Sequence, residues 1–187
     1  MPSGGVLDAA DWEAVAALCR RHDLLLILDS AMERLLFDGR AVLHPAGLPG
    51  MAERTITVGA ASKELRMIGW RVGWIVAPEA MVRPIERLQQ NLAISVPHLS
   101  QIAAEAAFDG RAEMDAIKHG YEENRRILTE GLPGAGLDTF LPVDGAFYLY
   151  DDIRTFSDDS FDFARRLLQE AHVAATAGVD FDLVEGR

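Results

Sequence analysis

The sequence predicts an α/β fold built on a mixed, mostly parallel sheet. Three observations carry that expectation. A helical pattern over residues 9–21 runs directly into the apolar stretch Leu24-Leu25-Leu26-Ile27-Leu28. The segment Thr55-Ile56-Thr57-Val58 is rich in β-branched residues, which favour strands. Val72-Gly73-Trp74-Ile75-Val76 follows it after one short loop. Helix alternating with buried strand is the rhythm of a helix-covered sheet. A strand, a loop and another strand suggest neighbours in one sheet, with one antiparallel member among them.

The elements follow in order. Pro2-Ser3-Gly4-Gly5 is a turn signal. Asp8 is placed to cap the first helix, with Asp11 in its first turn, and Trp12, Val15, Ala16 and Cys19 recur at helical spacing. Residues 24–28 read as a strand buried on both faces and closed by Asp29. Residues 38–53 are loop-like, rich in glycine and proline. Residues 79–93 read as helix, with Pro84 tolerable only near its start or at a kink. Leu99, Ile102, Ala103 and Ala106 give another apolar helical face, and residues 111–131 form the longest helical pattern despite Gly120. Leu132-Pro133-Gly134-Ala135-Gly136 marks the domain boundary. Beyond it, 139–143, 146–150 and a segment opening at Val173 read as strands, and 160–171 as a helix capped by Ser157 or Asp158.

Composition narrows the function classes. The 187 residues are 49% hydrophobic and 25% charged, enough to bury a core. The net charge of −11, from 29 acidic against 18 basic residues, opposes nonspecific binding to nucleic acid or anionic membranes. One cysteine, Cys19, excludes an internal disulfide framework and reads as a buried structural thiol. The N-terminal residues lack the blocks of a signal peptide, and the run 24–28 is too short to span a bilayer. A soluble cytoplasmic protein is the expectation. The five histidines have no metal-ligand spacing, so no metal site is expected. Asp151-Asp152 and Asp158-Asp159 read as solvated surface.

The chemistry concentrates in Ala60-Ala61-Ser62-Lys63-Glu64-Leu65-Arg66-Met67-Ile68-Gly69-Trp70-Arg71-Val72-Gly73-Trp74. Lys63 sits in a small-residue loop after an apolar strand. It is either a solvated lysine or an amine nucleophile whose pKa desolvation would lower. Arg71, between Gly69 and Gly73, is either a strand-edge ion pair or a planar clamp for a phosphate. Asp29 stands at a strand's carboxyl end, where α/β sheets hold ligands. It could equally cap the turn at Ser30, whose spacing to Glu33 fits a capping box.

Together these residues resemble the class I/II aminotransferases, pyridoxal 5'-phosphate enzymes of fold type I. The turn Pro2-Ser3-Gly4-Gly5, the strand Leu26-Ile27-Leu28-Asp29-Ser30-Ala31, and above all Ser62-Lys63 with Gly69-Trp70-Arg71-Val72-Gly73-Trp74 carry the resemblance. Gly145-Ala146-Phe147-Tyr148 and Val173-Ala174-Ala175-Thr176-Ala177-Gly178 are similar to weaker C-terminal signatures. The resemblance implies that residues 1–133 are part of a large cofactor-binding domain and 134–187 part of a small C-terminal α/β domain. It implies that Lys63 holds pyridoxal phosphate covalently and moves the substrate proton, that Asp29 keeps the pyridine nitrogen protonated, and that Arg71 binds the phosphate. The implied reaction exchanges an amino group between an amino acid and a 2-oxo acid, in a homodimer. A lyase or decarboxylase on the same fold, or a non-catalytic regulatory module, shares these residues. Three positions depart from the family pattern: Met1 for asparagine, Met32 for tyrosine and Ala60 for serine. The chain resembles the second half of such an enzyme, a fragment that would need an N-terminal half as partner.

Overall fold

The computed structural model describes residues 3–186, and its described sheet has three strands in the order β1-β2-β3. β1 (Leu26–Asp29) runs parallel to β2 (Thr55–Ala60), and β2 runs antiparallel to β3 (Gly73–Val76). The register pairs Asp29 with Val58 and Ala60 with Gly73. The carboxyl ends of β1 and β2 and the amino end of β3 therefore lie at one end of the sheet. The expected antiparallel member is present, and the class is α/β.

The helix α1 (Ala9–His22) begins where its chemistry dictates. Asp8 accepts the N–H of Ala10 at 2.8 Å and of Asp11 at 2.9 Å, while Asp11 accepts the Asp8 N–H at 3.0 Å. This reciprocal capping box satisfies donors that the first turn leaves unpaired. Ala16 and Cys19 pack with Met51 in a buried cluster, against Val15, Leu26 and Leu48. Arg54 fastens the far end of α1. Its Nη1 donates to the carbonyls of Cys19 and Leu24 and to Asp23 Oδ1, and its Nε donates to the Gly50 carbonyl at 2.9 Å.

The expected burial of β1 on both faces is not what the fold shows. Leu26 and Leu28 are half-buried, but Ile27 is 71% exposed and Leu25 55%. Ile27 shares a sheet face with Val58 of β2 and Ile75 of β3, which are also exposed, so among the described residues this face is uncovered across all three strands and the sheet is packed on the other side.

Helices α2 (Glu79–Leu92), α3 (His98–Ala107) and α4 (Arg111–Gly131) occupy the expected segments. Pro84 lies well inside α2, and the helix continues through it. Ala104 of α3 packs with Ala61 and Met67 in a second buried cluster. The chain divides into two compact units. One comprises residues 6–123 with 144–146 and holds the sheet; the other comprises 124–143 and 147–186 with 3–5.

In the second unit, α5 (Ser160–Ala171) is capped by Asp159, which accepts the Asp162 N–H at 2.9 Å; Ser157 instead accepts from Asp159 N. The strands expected at 139–143, 146–150 and from Val173 do not form. Phe140 and Asp151 make a single bridge, and Gly145 bridges to Leu36 in the sheet-bearing unit. Ala146 turns into the left-handed region at φ 60°, which ends any extended run. Residues 173–175 are exposed and pair with no strand among the described residues. Asp151 also departs from the solvated reading. It is half-buried, desolvation raises its carboxyl pKa, and its Oδ2 is buried without a hydrogen-bond partner among the described residues. Asp152 is half-buried too, but it is paired with Arg154, which holds its pKa down at about 2. The Met1, Pro2 and Arg187 positions lie outside the described residues.

The β2–β3 pair is close-packed at its glycines, Gly59 above all. A Cβ at Gly59 would meet the Trp74 indole at 2.2 Å, and Trp74 is itself held edge-on to Phe108 at 5.3 Å between centroids. Gly59→Ala is expected to destabilise the fold by about 1–3 kcal/mol, the usual cost of overpacking. A lower urea midpoint at unchanged m-value would show it.

Candidate functional site

Strand pairing brings the three sequence-selected residues to the same end of the sheet. Asp29 is the last residue of β1, Lys63 lies three residues beyond β2, and Arg71 lies two residues before β3. This is the end beyond which ligands settle in open α/β sheets.

The Lys63 loop is closed by its own backbone. Ala61 N donates to the Val72 carbonyl at 3.1 Å, and Met67 N donates to the Ala61 carbonyl at 3.1 Å. Ala61 is fully buried and Met67 is 7% exposed, both packed against Ala104. With both ends sunk in the core, residues 62–65 are themselves half-buried, Leu65 packs on the same cluster, and Arg66 is exposed. Within the loop Arg66 N donates to the Lys63 carbonyl at 3.2 Å.

Arg71 adopts the left-handed conformation, φ 53° and ψ 50°, unusual for a residue with a side chain. Its Nη1 donates to the Ile68 carbonyl at 3.0 Å. The guanidinium has five donors, so a turn that uses one of them fixes its direction and keeps the group suited to an anion. The side chain is exposed.

Asp29 does what the capping alternative required. Its Oδ1 accepts the Ala31 N–H at 3.0 Å, and a run of turns, not a helix, occupies 31–34. Ser30 N donates to the Val58 carbonyl at 2.8 Å, which extends the strand pairing past Asp29. Capping and ligand binding are compatible, because a carboxylate carries two acceptor oxygens. Asp29 also borders a cavity of about 150 Å³ lined by Trp12, Leu28, Glu33, Leu36 and Val42.

Sequence reading missed Glu64 and Arg34. They border a second cavity of about 340 Å³ with Arg111, Asp115 and Lys118 of α4. Burial raises the Glu64 pKa above the ordinary value of 4.5, and the N–H of Arg34 draws it part of the way back. The available signal was an acid next to Lys63 in a loop of small residues. Its partner is 30 positions away, so sequence spacing does not show it. Lys63 and Arg71 line neither cavity.

Comparison with known proteins agrees with this architecture. The family model "Aminotransferase class I and II" matches residues 1–187. A valine–pyruvate aminotransferase of Mycobacterium tuberculosis is 36% identical over 99% of this chain and 48% of its own length. An arginine–pyruvate transaminase of Pseudomonas aeruginosa is 41% identical over 96% of this chain and 46% of its own. The crystal structure of an aminotransferase from Mycobacterium tuberculosis superposes with a TM-score of 0.92 at 36% identity, covering 99% of this chain and 48% of that one. The chain thus spans about half the length of the relatives it matches. No described helix is long and apolar enough to cross a membrane.

The raised Glu64 pKa fixes a sign. The folded chain holds this proton more tightly than the unfolded chain does, so ionising Glu64 costs stability as pH rises from about 4.5 through the folded value. Glu64→Gln is expected to gain stability relative to the parent over that range. Parallel thermal melts from pH 4 to 8 read the difference, and a constant gap would count against it.

Proposed function

The chain belongs to the aminotransferase class I and II family, and we propose that it carries the lysine end of a pyridoxal-phosphate site for amino-group exchange between an amino acid and a 2-oxo acid. One observation carries the reading: Asp29, Lys63 and Arg71 converge at one end of a sheet that superposes on solved aminotransferases.

The donor set fits the cofactor. An amine suits an aldehyde, a carboxylate suits a protonated ring nitrogen, and a guanidinium suits a phosphate. Lys63 would hold the cofactor covalently, Asp29 would hold a proton at the ring nitrogen, and Arg71 would bind the phosphate. When bound, this cofactor draws electrons from the bonds around the substrate's α-carbon. Lys63, released by the incoming amino acid, would take the α-proton and deliver it to the cofactor carbon that its own amine had occupied. The half-buried Met32 offers no hydrogen-bond donor, so no tyrosine-type contact to the ring oxygen is part of the reading.

The same proposal assigns 1–133 to a large cofactor-binding domain and 134–187 to a small C-terminal domain. It places the protein in the cytoplasm, which suits a lone buried thiol at Cys19. It makes the working form a homodimer. The exposed apolar side chains Leu88, Leu92, Ile94 and Leu99 support an interaction face of that kind.

Two outcomes are expected. Borohydride reduction with pyridoxal phosphate, followed by peptide mapping, should give an adduct confined to Lys63 that Lys63→Ala abolishes; scattered adducts on other amines would refute the assignment. Arg71→Gly relieves a left-handed residue, so stability should stay within about 1 kcal/mol while affinity for pyridoxal phosphate falls at least tenfold. Fluorescence titration beside a urea melt separates the two effects.

A further inference from the structure

Glu64 follows Lys63 directly in the chain, yet its carboxylate binds the loop beyond Asp29. Its Oε1 accepts the Arg34 N–H at 2.6 Å, and its Oε2 lies 3.9 Å from Arg34 Nε. The Glu64 side chain is only 12% exposed. Arg34 lies in the turns that run on from Asp29. Ser30 N fixes the near end of this segment to Val58, and the buried Leu35, Leu36 and Phe37 fix the far end. Between those anchors the Arg34 N–H points to Glu64. The Lys63 loop is likewise fixed at both ends, by Ala61 and Met67. The Glu64 carboxylate therefore joins the middle of the lysine loop to the aspartate loop just before its buried far end.

We infer that Glu64 is a positioning residue, which sets Lys63 against Asp29 by bonding the lysine loop to the backbone of the aspartate loop. The inference rests on the reading of Lys63 and Asp29 as one site. A charge-assisted hydrogen bond to a backbone N–H is short, directional and stronger than a neutral one, which suits it to hold a register between two loops. An apolar residue at 64 could fill space but could not fix that register. The charged groups that face Glu64 are Glu33 and Arg34 from the aspartate loop and Arg111, Asp115 and Lys118 from α4. Arg34 is in bonding contact with it.

The test is hydrogen exchange at the amides of Arg34 and residues 62–65 in the cofactor-free 187-residue chain, as protection factors, for the parent, Glu64→Ala, Glu64→Gln and Glu64→Asp. Loss of one well-formed hydrogen bond should cut protection about tenfold in Glu64→Ala, at Arg34 and across 62–65 together. Glu64→Gln keeps an acceptor oxygen at the same reach and should restore most of it. Glu64→Asp keeps the charge but is one methylene short, so it should behave like Glu64→Ala; it also decides the matter if the alanine variant does not fold. Parental protection at 62–65 in either short variant overturns the inference. Borohydride trapping of pyridoxal phosphate at Lys63 is run beside it, with severalfold lower yield expected in the short variants and recovery in Glu64→Gln. Absence of a Lys63 adduct in the parent would refute the cofactor site, while the exchange data would still decide the clamp.

Discussion

The double pairing of β2 is the constraint on which the rest depends. One edge of β2 is bonded to β1 in parallel and the other to β3 in antiparallel sense. Backbone hydrogen bonds that are buried must be made, so this arrangement cannot slip without exposing or orphaning several of them. Its geometric consequence is that three chain segments turn at the same place. Asp29 ends one, the Lys63 loop leaves the second, and Arg71 leads into the third. Residues separated by up to 42 positions in sequence become neighbours in topology through two short ladders.

Around that end, each loop is fixed by a different means. The lysine loop is pinned by burial of Ala61 and Met67 and by two backbone bonds. The aspartate turn is pinned by its own carboxylate and by Ser30 reaching back to β2. The arginine turn is pinned by its guanidinium, at the expense of a left-handed backbone at Arg71. Such strain concentrates where surrounding structure over-determines a conformation, which is often a functional site. Glu64 then links two of the three loops through a desolvated contact that costs ionisation energy but fixes a register.

Much of the fold was legible in local pattern. The Asp8 capping box, the helical spacing of Ala16 and Cys19, and the β-branched run at 55–58 each carry their own signal, and the helices and the second and third strands stand close to where those signals put them, while the first strand, read at 24–28, runs from Leu26 to Asp29. The C-terminal strands were misread because an extended, apolar stretch becomes a strand only with a partner. Residues 139–150 find one bridge at a time, and Ala146 turns the chain aside. The burial of Ile27 was misread for a related reason: a run of leucine and isoleucine states a preference for the core, but the neighbouring elements decide whether a face is covered.

By itself, the sequence determined the α/β class, the element order in the sheet-bearing unit and the three side chains worth examining, because helix periodicity, strand propensity and loop composition are local properties. Only the tertiary structure decided that those side chains share one end of the sheet, that Asp29 caps its own turn, and that Glu64 bonds to Arg34 across 30 positions. These depend on which strands pair and in which sense. Pairing is a cooperative choice of the whole chain and is written at no single position.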